Sequence, residues 1–123
     1  MKDLEPRVYR QRLIIEARYA KPITEDLVKR YLLELTRVAG MTVINGPFIS
    51  SATGKAKPIH AGYEGAVIWA ESGAQIYTWE QFNFLTVDVY TCKRFDDQKL
   101  IDFTREFFQL TELETLSLPL KRD

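Results

Sequence analysis

Apolar and polar positions alternate along residues 13–19, with Leu13, Ile15, Ala17 and Tyr19 set against Ile14, Glu16 and Arg18. That two-residue period predicts a strand with one covered face. The pattern then changes. Thr24 stands before Glu25 and Asp26, an N-cap followed by acids that the helix dipole favours in a first turn. Leu27, Tyr31, Leu35 and Val38 fall on one helical face, with Val28 and Leu32 beside them, and Gly40 supplies the stop. Residues 41–48 read as a second strand broken by Gly46 and Pro47.

Residues 50–62 form a long loop rich in Ser, Gly, Lys and Pro that carries the sole histidine, His60. Loops of this length in a compact domain are frequently functional. Residues 65–71 are almost wholly apolar (Ala66, Val67, Ile68, Trp69, Ala70), which predicts a central strand covered on at least one face. Ser72 and Gly73 mark a tight turn. Residues 75–79 and 85–91 are two further strands, the latter setting Leu85, Val87 and Val89 against Thr86, Asp88 and Tyr90. Asp96 caps a second helix whose face is Leu100, Phe103 or Thr104, Phe107 and Phe108. Residues 113–118 make a last strand ending at Pro119. The predicted order is β-α-β-β-β-β-α-β. Two amphipathic helices cannot cover both faces of such a sheet, so the expected fold is α+β: a two-layer sandwich, its mainly antiparallel sheet carrying both helices on one face.

Composition narrows the functional classes. A chain of 123 residues is expected to form one domain over residues 1–123. Hydrophobic residues make up 46% and charged residues 28%, which argues against disorder. Seventeen basic residues balance seventeen acidic ones, leaving no positive field to draw nucleic acid or an anionic membrane. The basic N-terminal residues Lys2, Arg7, Arg10 and Arg12 are interrupted by Asp3 and Glu5 and read as a solvated edge. No apolar run reaches the roughly 18 to 20 residues of a membrane helix, and no apolar leader opens the chain. The expected location is the cytoplasm. A single cysteine, Cys92, allows no internal disulfide and is either a small buried hydrophobe or a reactive thiol.

The conventional searches for chemistry return little. There is no Gly-rich phosphate loop, no metal-ligand spacing and no second histidine. A Ser-His-Asp arrangement would need His60, which nothing in the sequence positions. The informative stretch is Ala70-Glu71-Ser72-Gly73-Ala74-Gln75-Ile76-Tyr77-Thr78-Trp79, followed by Asp88-Val89-Tyr90-Thr91-Cys92. In order and spacing, Glu71-Ser72, Thr78-Trp79 and Asp88…Thr91-Cys92 resemble the small prokaryotic S-adenosylmethionine decarboxylase family. Gly65-Ala66-Val67-Ile68 is similar to that family's Gly-Val-Val-Val run.

The resemblance implies a proenzyme that cuts itself between Glu71 and Ser72, converting Ser72 to a pyruvoyl cofactor. Attack by a hydroxyl on its own preceding carbonyl needs a strained or exposed turn. The pyruvoyl then accepts the amine of S-adenosylmethionine and draws electrons as carbon dioxide leaves, producing the aminopropyl donor for spermidine. Cys92 takes the family's proton-donor position, and Trp79 belongs to the substrate-binding set. The family also implies a homodimer.

Four positions depart from the family. Tyr77 stands in place of a histidine that donates a proton during cutting; near neutrality a phenol is a poorer acid–base group than imidazole, although it can stack on an adenine ring. Gln81 replaces a glutamate that holds the ribose hydroxyls, with Glu80 in place of a proline before it. Glu64 replaces a serine near the pyruvoyl and would favour a cationic substrate group or carry a proton. Phe48 is the nearest candidate for the family's aromatic stacking partner. Three readings stay open: decarboxylation of S-adenosylmethionine, decarboxylation of another amino acid such as arginine or ornithine, and a relative that never cuts and serves as a binding or partner subunit.

Overall fold

The computed structural model describes residues 1–52 and 61–119. His60 lies outside the described residues. The elements are β1 (Gln11–Tyr19), α1 (Glu25–Val38), β2 (Asn45–Ser50), β3 (Glu64–Trp69), β4 (Ser72–Trp79), β5 (Phe84–Thr91), α2 (Asp97–Phe108) and β6 (Leu110–Pro119). All six strands join one sheet in the order β2-β3-β4-β5-β1-β6, and every pairing is antiparallel. The expected α+β sandwich is the observed architecture.

Both helices form where capping and periodicity placed them. The Leu27 amide donates to Thr24 Oγ1 at 3.1 Å, and the Lys99 amide donates to Asp96 Oδ1 at 3.2 Å. Their apolar faces meet over the same side of the sheet. Tyr31 of α1 stacks on Phe103 and packs against Phe107 and Phe108 of α2. The Thr104 hydroxyl donates to the Leu100 carbonyl at 2.8 Å, so the buried Tyr31 hydroxyl donates to Thr104 Oγ1, also at 2.8 Å. Replacing Thr104 by valine strands that hydroxyl. The expected loss is about 1 to 3 kcal/mol of stability, read as a lower urea midpoint with unchanged slope.

The alternating residues Leu13, Ile15 and Ala17 of β1 and Leu85, Val87 and Val89 of β5 are buried beneath the helices. Trp69 closes this core at the end of β3, where its Nε1–H donates to Thr36 Oγ1 of α1 at 2.9 Å. The base of the β3–β4 hairpin is therefore tied to a helix.

The hairpin itself differs from the sequence expectation. Its turn is Ala70-Glu71, and Ser72-Gly73 open β4, with Ser72 opposite Trp69. Glu71 carries the positive φ, +47°, while Gly73 is required for a different reason: a Cβ there would stand 2.7 Å from the Val67 carbonyl oxygen. The second strand also shifts, to residues 45–50, so that Gly46 and Pro47 lie inside it at a register irregularity. β6 begins at Leu110, three residues before the predicted start.

The opposite face of the sheet is uncovered among the described residues. Its central row runs Phe48, Ala66, Gln75, Asp88, Ile14, Leu116 across the six strands. One step along, on the side of the β3–β4 turn, lie Ile68, Gly73, Tyr90, Arg12 and Leu118. On the other side lie Glu64, Tyr77, Thr86, Glu16 and Glu114. Phe48, Ile68, Leu116 and Leu118 are between 42% and 52% exposed, well above what a covered sheet face retains.

Candidate active site

Ser72 is the first residue of β4 and half-buried. The Cys92 amide donates to Ser72 Oγ at 3.0 Å, and the Ser72 hydroxyl donates to Cys92 Sγ at 3.6 Å. The Cys92 thiol in turn reaches the Ala70 carbonyl at 3.7 Å. Cys92 is placed by the end of β5, where Thr91 is fully buried and its hydroxyl donates to the Lys93 carbonyl at 2.7 Å. The two residues twenty apart in sequence are thus locked together by adjacent strands.

Immediately upstream, Glu71 holds a left-handed conformation that costs a non-glycine residue on the order of 1 kcal/mol. Trp69, anchored on α1, and Gly73, pressed against the β3 backbone, hold the ends of the turn that imposes it. Strain at the residue before the serine, and a hydroxyl fixed by a backbone donor, are what an attack on the preceding carbonyl requires. Beyond Ser72 opens a hollow of about 550 Å³ on the uncovered face, lined by Ile68, Gly73, Gln75, Asp88, Tyr90 and Arg12 among others. Ser72 borders that hollow at the end of β4 and Cys92 stands beside it, so the residues present fit a pyruvoyl group.

The remaining sequence candidates gather elsewhere. Glu64 and Tyr77 are direct cross-strand neighbours, and the Tyr77 and Trp79 rings lie 6.5 Å apart. With Tyr63, Thr78 and Ala52 they line a cleft of about 240 Å³ at the far end of β4. Tyr77 lies five positions beyond Ser72, about 16 Å along a strand and on the opposite face. The proposed site is therefore split, with Glu71, Ser72 and Cys92 at one end of β4 and Glu64, Tyr77 and Trp79 at the other. Gln81 is exposed in a short 3-10 turn, Glu80–Phe82, outside the lining of the cleft. Phe48 lies on the uncovered face of β2 and lines neither cavity.

Tyr63 is the aromatic wall that the sequence did not single out. Gly62 and Thr78 place it: the Tyr63 amide donates to Thr78 Oγ1 at 2.8 Å, the Thr78 amide donates to the Tyr63 carbonyl at 2.9 Å, and Ser51 Oγ donates to the Gly62 carbonyl at 2.6 Å. No group of three or more metal-ligating side chains gathers among the described residues, and no helix there is long and apolar enough to cross a membrane.

Comparison with known proteins bears directly on this arrangement. The family model described as S-adenosylmethionine decarboxylase matches residues 12–119. The chain belongs to the S-adenosylmethionine decarboxylase family. The match takes in both halves of the split site and all six strands except the first residue of β1. The chain is 35% identical over 68 residues to the arginine decarboxylase proenzyme of Hyperthermus butylicus, covering 55% of this chain and 44% of that protein. It is 29% identical over 94 residues to the S-adenosylmethionine decarboxylase proenzyme of Acidithiobacillus ferrooxidans, covering 76% and 65%. To the enzyme of that name from Thermococcus gammatolerans it is 32% identical over 85 residues, covering 68% and 54%. The aligned part spans between 44% and 65% of these curated relatives. The crystal structure of the adenosylmethionine decarboxylase from Aquifex aeolicus superposes with a TM-score of 0.68 at 18% identity over 94% of this chain and 93% of that one, which shows a shared fold.

Proposed function

We propose that this chain is a self-processing S-adenosylmethionine decarboxylase that acts as a homodimer and supplies the decarboxylated aminopropyl donor for spermidine. The observation that carries the reading is Ser72 itself, held by the Cys92 amide directly after the strained Glu71. Ser72 Oγ attacks the Glu71 carbonyl carbon and the amide nitrogen leaves as the amine, giving an ester. Elimination then frees the Glu71 carboxylate, and water releases ammonia from residue 72 to leave its ketone. A pyruvoyl group at position 72 supplies the electron sink for loss of carbon dioxide. Cys92, within van der Waals reach of that position, holds the proton that replaces the departed carboxylate. Glu64, Tyr77 and Trp79 bind the rest of the substrate. Because Tyr77 stands about 16 Å from Ser72 on its own strand, it serves a serine only from a second copy, and this supports the homodimer.

Two measurements test the reading. Purified protein, denatured and weighed at intervals, is expected to pass from one chain to two; cut protein is then expected to release carbon dioxide from carboxyl-labelled S-adenosylmethionine. Cut protein that releases none would rule out this substrate. Replacing Tyr77 by histidine is expected to speed cutting by about 100-fold, the usual scale of a well-placed acid–base group. An unchanged rate would remove Tyr77 from the processing step.

Glu64 favours a second reading. A carboxylate among Tyr63, Tyr77 and Trp79 suits a guanidinium or ammonium group as well as a sulfonium. Together with the similarity to the Hyperthermus butylicus protein, this supports arginine or ornithine as the substrate. A panel of amino acids offered to cut protein separates the two.

A further inference from the structure

The strained turn before Ser72 is held from outside the hairpin. We propose that the last turn of α1 is a clamp that drives the cut, with Thr36 and Lys93 as its positioning residues. Thr36 holds the strand that carries the strained carbonyl, and Lys93 holds the loop that carries the donor to Ser72. This rests on the reading that Ser72 attacks the Glu71 carbonyl.

Of the two residues in the β3–β4 turn, only the second, Glu71, has a positive φ. The two-residue turns that match the twist of a hairpin have positive φ at the first residue or at both, and the others splay the strands. Another turn was open to the chain. A turn on Ser72-Gly73 would let the glycine carry the positive φ. It would set Ala74 opposite Glu71, where it now faces Val67, and so slide β4 by four residues. An even step leaves every side chain on its own face, so hydrophobic alternation does not forbid it. Hydrogen bonds do. The paired bonds between Tyr63 and Thr78 fix the register at the far end of the hairpin. At the turn, Trp69 pairs with Ser72 while its Nε1–H is held by Thr36 of α1.

Thr36 is buried and its hydroxyl is committed on both sides: it donates to the Leu32 carbonyl at 2.7 Å and accepts from Trp69. The helix is thereby joined to the strand pair that includes Ser72. The Thr36 carbonyl accepts the Met41 amide at 3.0 Å, which closes the helix, and within that closing turn the Gly40 carbonyl accepts from Lys93 Nζ, also at 3.0 Å. A cation suits the carbonyl end of a helix. Lys93 follows Cys92, and its own carbonyl takes the Thr91 hydroxyl. The second bond therefore holds the backbone whose amide donates to Ser72 Oγ. One turn of helix grips the segments that present both nucleophile and carbonyl. When Ser72 Oγ bonds to the Glu71 carbonyl carbon, its proton passes to the amide nitrogen and the C–N bond breaks. Glu71 then leaves its left-handed conformation. Strain imposed by the clamp is released along the reaction and lowers its barrier.

The test follows two products of the whole chain over time: cut chain, and uncut chain that hydroxylamine splits before position 72 after denaturation. The ester yields to hydroxylamine and the amide does not, so their sum counts the attack by Ser72 whatever becomes of the ester. Thr36→Val is expected to slow the rise of that sum about 10-fold, and Thr36→Ser, which keeps the hydroxyl, to restore it. Thr104→Val gives up a comparable buried hydrogen bond at the contact of α1 with α2 and is expected to react at the original rate. Equal slowing there would reduce Thr36 to a stability effect. Glycine takes a positive φ without strain, so in the Glu71→Gly background Thr36→Val is expected to change the rate by less than about 2-fold. Lys93→Met, on the surface where folding is not at stake, is expected to slow the reaction about 3-fold. Thr36→Val at the original rate, or slowing equally in both backgrounds, overturns the clamp, and an unchanged rate in Lys93→Met removes its second grip. An unsubstituted chain that forms neither product overturns the clamp and the cutting reading together, whereas failure to release carbon dioxide defeats only the substrate.

Discussion

With alanine at position 72, the chain is expected to remain a single polypeptide of 14.3 kDa after any length of incubation. The unsubstituted chain is expected to separate under denaturing conditions into pieces of 71 residues and the remaining 52 of its 123. The effect is all-or-none because, among the described residues, no hydrogen bond places a substitute nucleophile on the same carbonyl. Cys92 stands 3.7 Å from the carbonyl of Ala70, one residue too early. Stability, by contrast, is expected to change little. Ser72 is half-buried and its described hydrogen bonds go to Cys92 alone, so the loss is about 1 kcal/mol. An alanine variant that melts near the original temperature yet never cuts isolates the chemistry from the fold. Cutting at the same rate in that variant would end the pyruvoyl account.

Alanine at Gly62 is expected to damage both the fold and the cleft. Its Cβ would sit 1.9 Å from the Thr78 carbonyl oxygen and 2.8 Å from the carbonyl carbon, backbone atoms that cannot swing aside. The φ of +151° adds strain for any side chain. Separating the two segments breaks the paired bonds between Tyr63 and Thr78 that set one wall of the cleft. About 3 kcal/mol of stability should be lost, which for a chain of this size lowers the melting temperature by roughly 10 °C. Substrate affinity should fall with it, seen as a raised KM in whatever enzyme survives at low temperature. A variant melting within a degree or two of the original would show that the approach relaxes without cost.

Much of this fold was legible because its elements are half-covered. β1 and β5 lie between a helical layer and an open face, so alternation wrote itself into their sequences. α1 and α2 were readable from Thr24 and Asp96 as well as from their periods. The hairpin was not. Ser72-Gly73 has the composition of a turn, yet the turn falls on Ala70-Glu71 because Trp69 is held by Thr36 and pairs with Ser72. A tertiary hydrogen bond decided the register against local preference, and left the positive φ on a glutamate.

The split of the site was available in principle. Ser72 and Tyr77 differ by an odd number of steps on one strand, and an odd offset reverses the face. Motif spacing concealed this by treating neighbours in sequence as neighbours in space. Tyr63 escaped notice for a related reason: it precedes β3, and its place is set by backbone contact with Thr78 rather than by any pattern of its own.

The strand order carries a consequence for what a cut at the β3–β4 turn does to the molecule. The N-terminal piece keeps β1, β2 and β3, and the C-terminal piece keeps β4, β5 and β6. In the sheet, however, β1 is wedged between β5 and β6. The pieces dovetail. Neither can be withdrawn without stripping a strand from the middle of the other's hydrogen-bonded ladder, so the severed protein should travel and melt as one body, its break invisible until a denaturant unlaces it.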